Sequence, residues 1–250
     1  MVVSYSSIAI KCGFSLTDAK AGISAQLGIN DKLRHTLVMF ARVLLIAAAA
    51  SVACGDPAAN SLMDRVLADL RNQLNTLGLD PARASPFEVF VPSNGPFNRD
   101  LRANFTQGSI VGLGGLVRTG DCIYHQAGSN RLFICNVLLG STQIMMNVDV
   151  QGDSAITVHP ISTGTRIDNG TQAVIQVHGM RGYQPKSVRI EVDSITATTR
   201  VLRGKLELNA PRFAEFSRQV NRNISAQLVN TLTGPYAQAL SSAFARYTMP

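Results

Sequence analysis

Tryptophan is absent from this 250-residue chain, and aromatic residues make up only 6% of it. That argues against a reader of sugars or unstacked bases, which needs aromatic platforms, so nucleic acid is not an expected partner. Charged residues are sparse at 16% against 46% hydrophobic, which excludes a self-repelling disordered chain. No apolar run reaches the roughly 20 residues that a membrane-spanning helix needs. Only four histidines occur, and His125, His159 and His178 stand apart with no HxH or HExxH spacing. Asp149 and Asp153 flank Gly152 without the loop of carboxylates that calcium demands. The Gly112–Gly115 run matches no dinucleotide fingerprint, because no helical pattern follows it. No cofactor or metal is therefore expected.

One stretch hints at covalent chemistry. Gly152-Asp153-Ser154-Ala155-Ile156 is half of a nucleophile elbow, and Asp168 and His178 follow in hydrolase order. The second glycine is missing and a strand pattern follows where a helix is required. A secreted esterase using Ser154 is thus a remote alternative, and no catalytic set is assigned. The formal charge of +7 is mild, and much of the excess precedes Asp56. Arg200, Arg203 and Lys205, or Arg218 and Arg222, suit weak contact with an anionic membrane or microbial surface. An ordinary solvated face is the plainer reading of the same residues.

Met39–Gly55 has the form of a secretory signal: Arg42, an apolar run from Val43 to Ala50, then small residues. Cleavage after Ala53 or Gly55 fits. A buried core helix and a lipoprotein box ending in Cys54 are the rivals. The expected organisation is residues 1–38 as an upstream extension, 39–55 as signal peptide and 56–250 as one domain. Cleavage after Gly55 removes Cys12 and Cys54 and leaves two cysteines for an oxidising compartment. A two-residue turn at Gly128-Ser129 sets Cys122 opposite Cys135 in a non-hydrogen-bonded pair, where Cα atoms approach to about 4.5 Å. A Cys122–Cys135 disulfide follows, with two buried free thiols as the alternative. Asn104, Asn169 and Asn223 head glycosylation sequons.

Periodicity supplies the fold class. Leu62, Val66, Leu70, Leu74 and Leu77 form one helical stripe, with Asn60 or Ser61 as cap and Gly78 as stop. Phe213, Phe216, Val220, Ile224 and Leu228 form another over Pro211–Leu232, capped by Asn209 and ended or kinked at Gly234-Pro235. A further helical segment follows. Between them, strands are expected at 87–91, 101–118, 121–126, 131–139, 142–150, 154–161, 171–179 and 186–208, with Gly112, Gly114 and Gly115 allowing curvature. The expected fold is α+β: a long curved antiparallel sheet wrapped around the C-terminal helix, with an N-terminal amphipathic helix. Two amphipathic helices and one sheet offer more apolar face than a two-layer core needs, which points to a groove. Met145 and Met146 suit an adaptable pocket, with core packing as the plainer role.

The stretch Val111-Gly-Leu-Gly-Gly-Leu-Val-Arg-Thr-Gly-Asp121, with the hairpin after it, the strand IMMNVDV and the two-part C-terminal helix, resembles the tubular lipid-binding superfamily. Within it, the chain is most similar to the mite group 7 allergen-like proteins, with juvenile-hormone-binding and takeout-like proteins of arthropods more distant. The resemblance covers roughly residues 60–250, and Cys122–Cys135 has no counterpart in its pattern. It implies a secreted, non-enzymatic carrier of a lipid-like molecule, and innate-immune binding of microbial amphiphiles as in larger two-domain relatives. Leu67, Leu70, Leu74, Leu116, Met145, Phe213, Phe216, Val220, Ile224 and Leu228, from the two helices and the inward strand faces, would line the groove. The competing class is a secreted interaction protein with a fully packed core and an arginine-bearing partner surface.

Overall fold

In the computed structural model, which describes residues 56–153 and 157–250, the first element is α1, Pro57–Leu74. The segments 1–38 and 39–55, and Ser154, lie outside the described residues. Asp56, not Asn60 or Ser61, caps α1 by accepting from the Ala58 N–H at 2.8 Å, with Pro57 in the first turn. Leu62, Met63, Val66, Leu67, Leu70 and Leu74 are buried along one face. The helix stops three residues before Leu77, which is 53% exposed and leaves the expected stripe.

Ten strands follow: β1 Ala82–Ala84, β2 Phe87–Val91, β3 Leu101–Val111, β4 Val117–Ala127, β5 Asn130–Leu138, β6 Gln143–Gln151, β7 His159–Ile167, β8 Gln172–Met180, β9 Ser187–Glu191 and β10 Ala197–Arg203. All their pairings are antiparallel, but they divide into two ladders. The first sheet runs β1-β3-β6-β7-β10, with β2 beside β1 on the same edge of β3; the second runs β4-β5-β8-β9. The chain therefore visits the sheets alternately instead of meandering. Two expected long strands are cut where it crosses: 101–118 at a 3-10 turn, Leu113–Gly115, and 186–208 between Glu191 and Ala197. Gly112 makes the first crossing possible. It sits at φ 93°, and a Cβ there would lie 2.2 Å from the Ser141 carbonyl oxygen.

The C-terminal part is one winding helix: α2 Ala210–Thr231, a π turn Leu232–Tyr236 and α3 Ala237–Phe244. Asn209 caps α2 as its sequence predicts, accepting from the Arg212 N–H at 3.1 Å. Gly234-Pro235 does not end the helix; the wider π turn absorbs the proline. Phe216, Val220, Ile224, Leu228, Leu232, Tyr236, Leu240 and Phe244 are all buried, one at every fourth position. Such a stripe advances about 40° around the axis at each step. It suits a helix that meets protein on successively different sides. α2 packs against β2 and β10, at opposite edges of the first sheet, so that sheet must curl around it. α3 continues over β9 of the second sheet and meets α1.

Candidate functional site

The seam between α2 and the concave face of the first sheet begins from strand parity. Along β6 buried and exposed residues alternate, which places Ile144, Met146, Val148 and Val150 inside and Met145 outside. Phe105 of β3 stacks on Phe87 at 4.2 Å between centroids and lies 6.2 Å from Phe216 of α2. On β7 and β10 the inner face changes character. Thr163 and Thr165 share the parity of Ile161 and Ile167, and Thr199 faces them from β10. The Thr199 hydroxyl donates to Asn221 Oδ1 at 2.7 Å and receives Thr165 Oγ1 at 2.7 Å. This small polar spot sits inside an otherwise apolar lining.

Both rims of the sheet are fastened to α2 by uncharged amides. Gln219 donates to the Phe90 carbonyl at 2.7 Å and accepts the Phe90 N–H at 3.3 Å. About two helical turns on, Gln227 donates to the Ser85 carbonyl at 2.9 Å and accepts the Ser85 N–H at 2.7 Å. Each glutamine thus imitates a neighbouring strand toward an otherwise unpaired edge. On the opposite rim Asn221 donates to the Ala197 carbonyl of β10 at 2.9 Å. Glu215 supports one clasp, since its Oε1 accepts from Gln219 at 2.6 Å and from Arg218 at 2.7 Å. The Arg218 guanidinium first, and the Gln219 amide second, hold the Glu215 carboxyl down at about 2.

Placed in this frame, the sequence-derived groove residues separate. Phe216, Val220, Ile224 and Leu228 lie buried under α2, while Phe213 is 36% exposed at its start. Leu67, Leu70, Leu74 and Leu116 are equally buried, but α1 packs against β4, the 3-10 turn and α3 on the second sheet's side. Met145 points away from both layers and is 44% exposed, because its parity is opposite to that of Met146. Buried apolar side chains from both layers meet in the interior. Met145 instead borders two shallow surface pockets, one beside Gly164 and Thr198 and one beside Gln107 and Arg203. Thr165, Thr199, Asn221, Gln219 and Gln227 escaped sequence reasoning. The signal for the threonines was their spacing of two from Ile161 and Ile167.

The glycine-rich stretch holds the two sheets and α1 together. Asp80 accepts the N–H groups of Gly112 at 2.8 Å and Gly114 at 2.6 Å, and Arg71 of α1 donates to the Gly114 carbonyl at 2.6 Å. Arg118 grips Asp64 of α1 through two bonds of 3.0 and 2.9 Å. Asn60 accepts the Cys122 N–H at 2.7 Å and donates to Asp121 at 2.8 Å. Gly128 and Ser129 make the two-residue turn, with Ala127 opposite Asn130, and Cys122 and Cys135 form a buried disulfide with Cα atoms 4.4 Å apart.

Of the residues considered for hydrolysis, Asp168 follows β7 of the first sheet and His178 lies on β8 of the second. Asn104 and Asn169 are exposed, whereas Asn223 is half-buried and donates to the Gln219 carbonyl at 3.0 Å. No family model and no curated protein matches the chain. Several solved structures are similar to it, and two of them show the extent of the likeness. A lipopolysaccharide binding protein shares 9% identity at a TM-score of 0.42, over 76% of this chain and 40% of its own. Takeout 1 of Epiphyas postvittana shares 12% at a TM-score of 0.31, over 75% of this chain and 87% of its own. The chain therefore spans about two-fifths of the first of these proteins.

Proposed function

We propose that this chain is a secreted, non-enzymatic binder or carrier of an apolar or amphipathic small molecule, akin to the mite group 7 allergen-like proteins of the tubular lipid-binding superfamily. The ligand is taken up between α2 and the concave face of the first sheet. The observation that carries this reading is the pattern of forces along that seam. The interior is largely apolar, the clasps at Phe90, Ser85 and Ala197 are uncharged amides, Arg212 adds a bond to the Arg99 carbonyl, and among the described residues no ion pair joins α2 to the sheet. Burial of hydrocarbon, at about 0.8 kcal/mol per CH2, supplies the drive. The Thr165–Thr199–Asn221 chain supplies the polar point at which a head group is oriented. The buried disulfide suits an oxidising compartment.

Weak contact with an anionic membrane or microbial surface belongs to the same proposal. Phe97 stands 97% exposed on the connection between β2 and β3, next in sequence but one to Arg99.

The absence of tryptophan provides the test. Phe216→Trp places a single indole under α2. Quenching of its emission by a brominated fatty acid is the expected result. Uptake of that fatty acid without quenching would place the ligand elsewhere, and no uptake would favour the packed interaction protein.

A further inference from the structure

The two sheets differ on the sides that face away from the helices. An antiparallel sheet with one face on the core ordinarily turns polar residues outward. The first sheet is charged there, with Arg83, Glu88, Arg102, Asp149, Arg166 and Arg200 standing among the exposed Phe90, Met145 and Leu202. The second sheet turns outward residues that are almost all uncharged: Thr119, His125, Asn136, Gln176 and His178 share its outer face with an apolar cluster. Its register lines up Val117 with Leu138 and Ile123 with Ile134 across β4 and β5. Leu132 lies two positions along β5 from Ile134, and Val174 of β8 adjoins the same rows. These positions have the outward parity of their strands: Ile123 is 52% and Val117 46% exposed, and the others are half-buried by one another. Asp121, exposed at the irregular part of β4, is taken up by Asn60 of α1, which leaves Arg189 and Glu191, both on β9 and of opposite sign, as the outward charges of these strands among the described residues. Apolar residues with charge removed from the centre and confined to an edge are the composition of a protein interface.

We infer that the outer face of the second sheet is a self-association surface whose partner is a second copy of this chain. The charge pattern selects that partner. In a two-fold dimer each patch meets its own copy, so a patch with net charge repels itself. The chain carries +7, and the first sheet's outer face, with more arginines than carboxylates, is self-repelling. The second sheet's outer face balances to zero and offers Arg189 and Glu191 to each other's copies across the axis. The size is adequate. Four strands about 4.8 Å apart and roughly nine residues long at about 3.3 Å cover roughly 600 Å² in plan. Side-chain relief raises that toward the about 800 Å² per partner of a standard stable complex. Sheets stacked about 10 Å apart would enclose Ile123, Leu132 and Ile134 from both sides. This inference is independent of the ligand seam, which opens on the other sheet.

The test is sedimentation equilibrium of the full chain, purified without detergent and with its disulfide intact, between about 1 and 200 µM, where a standard-sized interface of modest quality dissociates. Twice the chain mass at the upper end is the expected result. Ile123→Lys should raise the dimer dissociation constant at least about tenfold by placing like charges on facing copies. Val117→Lys is the second probe of the same face, and Met145→Lys on the first sheet's outer face should change nothing. All three sites are exposed, and circular-dichroism melts verify that each variant is folded. A monomer throughout the range would overturn the inference, as would dimerisation that Ile123→Lys and Val117→Lys leave unaltered.

Discussion

Removing the two glutamine clasps, by Gln219→Ala with Gln227→Ala, should make the seam easier to open while leaving its interior intact. The two side chains make four hydrogen bonds to the backbone of Phe90 and Ser85, between 2.7 and 3.3 Å. All four lie at the exposed rim, so each is set at the low end for an intramolecular bond, about 0.5 kcal/mol. Their loss costs about 2 kcal/mol, roughly a thirtyfold rise in the open population. While the open form is scarce, apparent affinity scales with its population, so a ligand entering there should bind up to roughly thirty times more tightly. Titration with a fluorescent fatty acid reads the affinity, and hydrogen exchange reads the opening. α2 amides should exchange faster while those of β5 and β8 stay protected. Faster exchange in every element to the same extent, with unchanged affinity, would refute the reasoning. The glutamines would then serve stability alone.

Three further outcomes follow from the same contacts. Cys122→Ser with Cys135→Ser opens a crosslink spanning a sequence separation of 13, which the loop-entropy relation values at about 3 kcal/mol, measurable by urea unfolding. Asp80→Ala removes the carboxylate that accepts from Gly112 and Gly114, and each such bond is worth about 1.5–3 kcal/mol. Thermal unfolding should therefore drop by several degrees, and Asp80→Asn should restore part of the loss. Glu215 has its folded pKa depressed to about 2, so its contribution is complete above the ordinary carboxylate value of about 4.3 and disappears as pH falls toward about 2. Melts across that interval should show a steeper acid decline for the natural chain than for Glu215→Gln; parallel declines would count against the Glu215–Arg218 contact.

The local elements were legible in the residues themselves. Asn209 capping α2, the stripe from Phe216 to Leu228 and the Gly128-Ser129 hairpin all rest on contacts between near neighbours, which spacing encodes. The disulfide followed from that hairpin by counting. The division into two sheets did not follow, because β3 pairs β6 and β5 pairs β8 across long intervals, and alternation specifies a face, not a partner. Met145 illustrates the same limit. Adjacent methionines must face opposite ways, and it is Met146 that packs inside. The polar part of the seam was obscured by chemistry, since a threonine suits either face of a strand. The inward role of Thr165 and Thr199 depends on their bond to each other and on Asn221, which is distant from them in sequence. Asn60 was assigned as a cap, yet its amide joins α1 to Cys122 and Asp121, a contact that arises only in the folded chain.

Native mass spectrometry of the protein, purified without detergent and then extracted with organic solvent, tests the central claim most directly. The account predicts a bound species with the mass of a single lipid-like molecule, recovered in the organic phase and gained more readily by the Gln219→Ala, Gln227→Ala variant. A clean unliganded mass for both proteins, with no uptake of added fatty acid, would contradict it.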